Sequence, residues 1–174
     1  MNIVVCTVAR SGSNWFRDEL VLRGYPECSE WYHPGQPVYN SQRKGRIGQA
    51  HLEGKDFGVK LFPEHVKKHG GLQKIFKQID NPPNVFIRLK RNDIDAQSIS
   101  WAGANSKGSW FESTRQYAKN PQKVQQFRQR IIDSNKFWDQ QLATRDHLVV
   151  VYEDMKKDVD YELSRIVDYI ESKR

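Results

Sequence analysis

The sequence predicts an α/β fold: a three-layer sandwich whose central parallel sheet of about four to five strands is covered by helices on both faces. Two observations lead to it. Short strand-like runs alternate along the chain with segments whose apolar residues recur at helical spacing. The 174 residues are 37% hydrophobic and 11% aromatic, enough to build one core, so residues 1–174 are expected to form a single domain.

The elements follow in order. Asn2-Ile-Val-Val-Cys-Thr7 is a β-branched run that gives way to polar and glycine residues, the pattern of a buried strand entering a loop. From Asn14 to Arg23, Trp15, Phe16, Leu20 and Val21 lie at helical spacing, and Gly24 stands where helices commonly stop. Residues 25–55 hold Pro26, Pro34, Pro37 and four glycines without a period, which predicts a long irregular segment. Phe57–Leu61 reads as the second strand, with a helix from about Pro63 that is redirected at Gly70-Gly71. Asn84–Lys90 is the third strand, and Ile94, Gln97, Ser98 and Trp101 mark the helix after it. Pro121 opens a long helix striped by Val124, Phe127, Ile131, Trp138 and Leu142. His147–Tyr152 is the fourth strand, and Leu163, Ile166, Val167 and Ile170 line the last helix. Tyr152-Glu153-Asp154 is read as a structural turn between the two.

Composition narrows the function. The longest strongly apolar run is Leu148–Val151, far short of the roughly 20 residues a membrane span requires. The N-terminus lacks a basic stretch followed by a long apolar one, so a cytoplasmic protein is expected. Two cysteines, Cys6 and Cys28, make neither a disulfide framework nor a cysteine zinc site. The net charge is 28 − 21 = +7, which invites a polyanion: nucleic acid, or a small phosphorylated ligand met by a local cluster of cations.

Two segments can supply that cluster. Thr7-Val-Ala-Arg-Ser-Gly-Ser-Asn-Trp15 joins the first strand to the first helix, where backbone N–H groups and the positive helix end converge on an anion. Arg10 adds a full charge, Gly12 permits close approach, and Ser11, Ser13 and Asn14 offer side-chain donors. There is no G-x-x-x-x-G-K-[ST], which disfavours a nucleoside triphosphate. Arg88, Lys90 and Arg91 form a second basic strand end, with Asn92 and Asp93 capping the next helix and Ser98 and Ser100 along it. The alternative readings are a Ser/Asn helix cap with an exposed Arg for the first segment and a solvated charged turn before an ordinary capped helix for the second, and the presence of two such segments on one sheet makes them less attractive.

The two segments together resemble the sulfotransferases that use 3′-phosphoadenosine 5′-phosphosulfate (PAPS). The resemblance is carried by Arg10-Ser11-Gly12-Ser13-Asn14-Trp15, with Asn14 where that family usually has Ser or Thr, and by Arg91-Asn92-Asp93-Ile94-Asp95-Ala96-Gln97-Ser98-Ile99-Ser100. Glu30-Trp31-Tyr32, Phe57-Gly58-Val59-Lys60-Leu61 and Tyr152-Glu153-Asp154-Met155 are similar to the bacterial carbohydrate branch typified by trehalose sulfotransferase. The resemblance implies a P-loop-like form of the fold. It implies that residues 10–15 grip the 5′-phosphosulfate and Arg91 the 3′-phosphate, helped by Ser98 or Ser100, of which Ser100 is favoured. It further implies metal-free transfer of a sulfuryl group to a hydroxyl of a carbohydrate, glycolipid or small alcohol. Arg10 and Lys60 would stabilise the leaving oxygen, and Glu30 would be the base, with His33 and His65 as competitors. Trp15 has two readings, stacking on the adenine or core packing. The rival to the whole reading is a non-catalytic basic module that binds nucleotide, nucleic acid or an anionic polysaccharide; nucleic acid is not the expected partner.

Overall fold

The five strands of the sheet are β1 (Asn2–Cys6), β2 (Cys28–Ser29), β3 (Phe57–Leu61), β4 (Asn84–Lys90) and β5 (Leu148–Val151), all parallel in the order β2-β3-β1-β4-β5. The computed structural model describes residues 1–30, 56–78, 84–107 and 118–174. The helices among these residues are α1 (Ser13–Leu22), α2 (Pro63–Lys68), α3 (Leu72–Gln78), α4 (Ile94–Lys107), α5 (Pro121–Leu142), α6 (Tyr152–Lys157) and α7 (Val159–Glu171).

β1 is buried along its whole length because it sits mid-sheet with helices on both sides. Strand alternation then divides the core. Val4, Cys6, Phe57, Val59, Leu61 and Phe86 face α2–α5, where Phe127, Ile131, Trp138 and Leu142 of α5 complete one layer. Ile3, Val5, Val85, Ile87 and Leu89 face the other way, onto Phe16 and Leu20 of α1, Met155 of α6, and Leu163, Ile166 and Ile170 of α7. Trp138 is fully buried, and burying a side chain of this kind contributes a few kcal/mol, about 25 cal/mol for each Å² removed from water.

Two expectations are corrected. The segment 25–55 is not irregular throughout, since Cys28–Ser29 pairs with Gly58 and Val59 as a fifth strand. Gly58 makes this possible: a Cβ there would stand 2.7 Å from Cys28 Sγ and 2.9 Å from the Glu27 carbonyl oxygen. Residues 31–55 lie outside the described residues. The last strand stops at Val151, and Tyr152 opens a helix instead of closing the strand. No helix among the described residues is long and apolar enough to cross a membrane.

The topology decides where a ligand would sit. From β1 the chain moves over β3 to β2, whereas from β4 it moves outward to β5 on the opposite side. Neighbouring strands whose connections leave in opposite directions open a crevice at their carboxyl ends, here between β1 and β4.

Candidate active site

The loop after β1 enters that crevice with its Thr7 and Ala9 carbonyls already used. Thr7 N–H donates to the Leu61 carbonyl and continues the ladder at 3.0 Å. Trp138 Nε1 donates to the Thr7 carbonyl at 2.8 Å, and Gln97 Nε2 to that of Ala9 at 2.7 Å. With its acceptors turned inward against α4 and α5, the loop reaches α1, which starts at Gly12 without a side-chain cap. The N–H groups of a first helical turn have no partner inside the helix and favour an anion.

Two backbone conformations shape the loop. Among the described residues Arg10 is the non-glycine residue with positive φ, 64°, and Gly12 has φ 84°. A Cβ on Gly12 would lie 2.4 Å from Cδ2 of Tyr152, so the loop lies directly on that ring. An L-residue in the left-handed region costs about 1–2 kcal/mol, which the fixing of Arg10 by its neighbours must offset. Among those fixings, Arg10 Nε donates to Ser100 Oγ on α4 at 2.9 Å.

Arg91 arrives from the end of β4. Its guanidinium lies over Tyr152, 4.9 Å from the ring centroid, and its Nε is 3.6 Å from Glu153 Oε1. Tyr152 also meets Trp15 edge-on at 6.0 Å, so one ring underlies Gly12, Arg91 and Trp15. Burial first, and then the charge of Arg91, hold the Arg10 guanidinium below its usual value. Two guanidiniums from separate strand ends therefore feel each other, an arrangement that a bound anion relieves.

The third strand end brings Lys60, only 2% exposed. Its Nζ lies 2.9 Å from Asn14 Oδ1 and 3.0 Å from Glu30 Oε1. An ammonium only donates, so the oxygen of the Asn14 amide faces Lys60 and the NH2 is turned away from it. A buried ammonium without acceptors would cost several kcal/mol, and these two satisfy it. Glu30 is 38% exposed in its side chain while paired with Lys60.

The remaining site residues divide. Ser11 is fully buried, and its hydroxyl shares a hydrogen bond with that of Thr7. Ser13 is buried in the first turn of α1. Ser98 is also fully buried and donates to the Asp95 carbonyl of its own helix at 2.8 Å, so Ser100 is the serine that meets Arg10. Trp15 packs against the α1 side of the core and donates to Glu19 Oε1. Arg88 departs from the reading of a basic strand end. Strand alternation turns it into the α5 layer, where it donates to the Cys6 and Leu89 carbonyls and to Asn135 Oδ1. His65 is buried edge-on to Phe62, and His33 lies outside the described residues. Trp101, Phe127 and Trp138 are core residues.

Sequence reasoning missed the parts of Tyr152, Glu153, Gln97 and Trp138. One signal was present for the first pair: they directly follow a strand, and in a parallel sheet every strand's carboxyl end lies at the same edge. Among the described residues no cluster of three or more His, Cys, Asp or Glu is arranged to hold a metal.

No family model matches the chain. The chain is similar to sulfotransferase 2A2 of Rattus norvegicus, with 23% identity over 192 aligned residues that take in 99% of this chain and 60% of the relative. It thus spans about 60% of the length of the curated relative it matches. The similarity supports the sulfotransferase resemblance at the level of the family and does not specify a branch.

Proposed function

We propose that this protein transfers a sulfuryl group from PAPS to a hydroxyl of a carbohydrate, glycolipid or small alcohol. The observation that carries the reading is that the Arg10 loop, through Gly12, and the Arg91 guanidinium meet on the one Tyr152 ring at adjacent strand ends of the β1–β4 crevice, so that the two cations feel each other. A donor with phosphates at both ends of its sugar matches that pair. A Gly12 that tolerates no side chain, beside an uncapped helix start, suits a bound phosphosulfate. The sulfotransferase similarity supports the same class.

In the reaction the acceptor oxygen bonds to sulfur as the bond from sulfur to the phosphate oxygen breaks. Negative charge grows on that bridging oxygen, and Arg10 and Lys60 stabilise it more in the transition state than in the ground state. The acceptor proton passes to Glu30. A sulfuryl donor draws Lys60 from Glu30, whose carboxylate then faces the acceptor hydroxyl.

Thermal melts and calorimetry with 3′-phosphoadenosine 5′-phosphate, beside ADP, ATP and a mixed oligonucleotide at two salt concentrations, test the donor site. A ligand at 100 Kd stabilises the native state by about 2.7 kcal/mol. Selective binding of the 3′-phosphorylated nucleotide, lost in Arg91→Ala, is expected. Salt-sensitive binding of every polyanion would replace the reading with a non-catalytic basic module. Glu30→Gln should keep donor affinity and lower turnover by roughly 100-fold or more; near-normal turnover would move the base elsewhere.

A further inference from the structure

The carboxylate of Glu153 does two things at the end of β4. It accepts from the backbone N–H of Asn92 and of Asp93, both at 3.1 Å, and it faces Arg91 Nε at 3.6 Å. These two N–H groups precede α4 and would otherwise be open to an anion, so the second strand end offers a ligand its side chains and not its backbone. Asp93 in turn caps α4, accepting from Ala96 N–H at 2.8 Å. The turn that carries Arg91 is therefore held from both sides, by Glu153 in front and by α4 behind. The Arg91 side chain is mostly buried, 12% exposed, and its Nε, 3.6 Å from Glu153, makes no hydrogen bond among the described residues. Tyr152 under it and Glu153 beside Nε are what hold it in place.

We propose that Glu153 is a positioning residue for 3′-phosphate selectivity, fixing the Asn92–Asp93 turn and the Nε side of Arg91 so that the terminal nitrogens of the guanidinium meet the donor's 3′-phosphate. This rests on the PAPS reading above. A carboxylate next to an anion site opposes binding by its charge, whereas its contacts with the Asn92–Asp93 turn and with Arg91 Nε favour binding by orienting the guanidinium. Glu153→Gln separates the two effects, since the amide keeps one acceptor and loses the charge.

The test is calorimetric titration of the whole chain with 3′-phosphoadenosine 5′-phosphate and with adenosine 5′-phosphate, for the unaltered protein, Glu153→Ala, Glu153→Gln, Arg91→Ala and the double alanine variant. Glu153→Ala should weaken the 3′-phosphorylated nucleotide about tenfold and adenosine 5′-phosphate less than twofold. Glu153→Gln should recover part of the loss. In the Arg91→Ala background Glu153→Ala should add little, because the residue acts through that guanidinium. Equal losses on both nucleotides, full additivity with Arg91→Ala, or tighter binding in Glu153→Gln would overturn the proposal. If Glu153→Ala does not fold, Glu153→Gln alone carries the test, with a loss on the 3′-phosphorylated nucleotide only as the expected result. Failure of the donor reading itself looks different: the unaltered protein would then not distinguish the two nucleotides.

Discussion

Gly12→Ala is the most direct test of how the anion loop is built. The added methyl meets two separate obstacles. At φ 84° an L-residue adopts the left-handed conformation, at about 1–2 kcal/mol. Its Cβ would also stand 2.4 Å from Cδ2 and 2.8 Å from Cε2 of Tyr152, an overlap of the kind that costs about 1–3 kcal/mol in a packed interior. The ring cannot move aside freely, because it is held between Trp15, 6.0 Å away edge-on, and the Arg91 guanidinium at 4.9 Å. The sum is about 2–5 kcal/mol, a fall in Tm of about 5–20 °C for a chain of this size. Thermal denaturation of Gly12→Ala with and without Tyr152→Ala separates the parts. Without the ring only the backbone cost of about 1–2 kcal/mol should remain. A single variant melting within about 2 °C of the unaltered protein, or an equal penalty in both backgrounds, would refute the close approach of loop and ring.

Three further outcomes follow from the same geometry. Arg10→Gly should be more stable than Arg10→Ala by about 1 kcal/mol in urea titrations, because only glycine is at ease at φ 64°; both should lose 3′-phosphoadenosine 5′-phosphate affinity, and equal stabilities would contradict a strained Arg10. Asn14→Asp puts a carboxylate where the amide presents its NH2, so donor affinity should fall tenfold or more by calorimetry, while Asn14→Thr, which restores a hydroxyl donor, should stay within a few-fold; an unaffected Asp variant would remove Asn14 from the anion site. Burial pushes the thiols of Cys6 and Cys28 from 9.0 up to about 12. Below pH 9 each thiol keeps its proton folded or unfolded, whereas from 9 towards 12 only the unfolded chain ionises. Each thiol should therefore remove up to about 1.4 kcal/mol of stability per pH unit over that range. Urea denaturation at pH 8 and 10 should show the loss, with a shallower slope for the Cys6→Ala, Cys28→Ala variant; identical slopes would mean the thiols are not buried.

What the sequence determined by itself is local. The strands expected at 2–7, 57–61 and 84–90 and the apolar stripe from Val124 to Leu142 appear within a residue of where the sequence places them, because short apolar runs ended by polar and glycine residues, and a helical period of 3.6, are local properties of the chain. The parallel sheet followed from the alternation of the two, and with it the expectation of a site at the carboxyl ends. The tertiary structure decided what depends on distance between segments far apart in the chain. Cys28–Ser29 is too short to announce itself and is a strand only because Gly58 lets it lie against β3. Arg88 reads as one cation of a basic cluster, yet its side of the strand sends it into the core. Ser98 and Ser100 are alike in sequence, and the helix turns one to its own backbone and the other to Arg10, 90 residues earlier. Tyr152 and Glu153 read as a turn, and they join both basic loops because β5 adds to the sheet beside β4. Local pattern sets which residues form an element and which face is apolar; strand order and register, settled by packing of the whole chain, set which side chains meet.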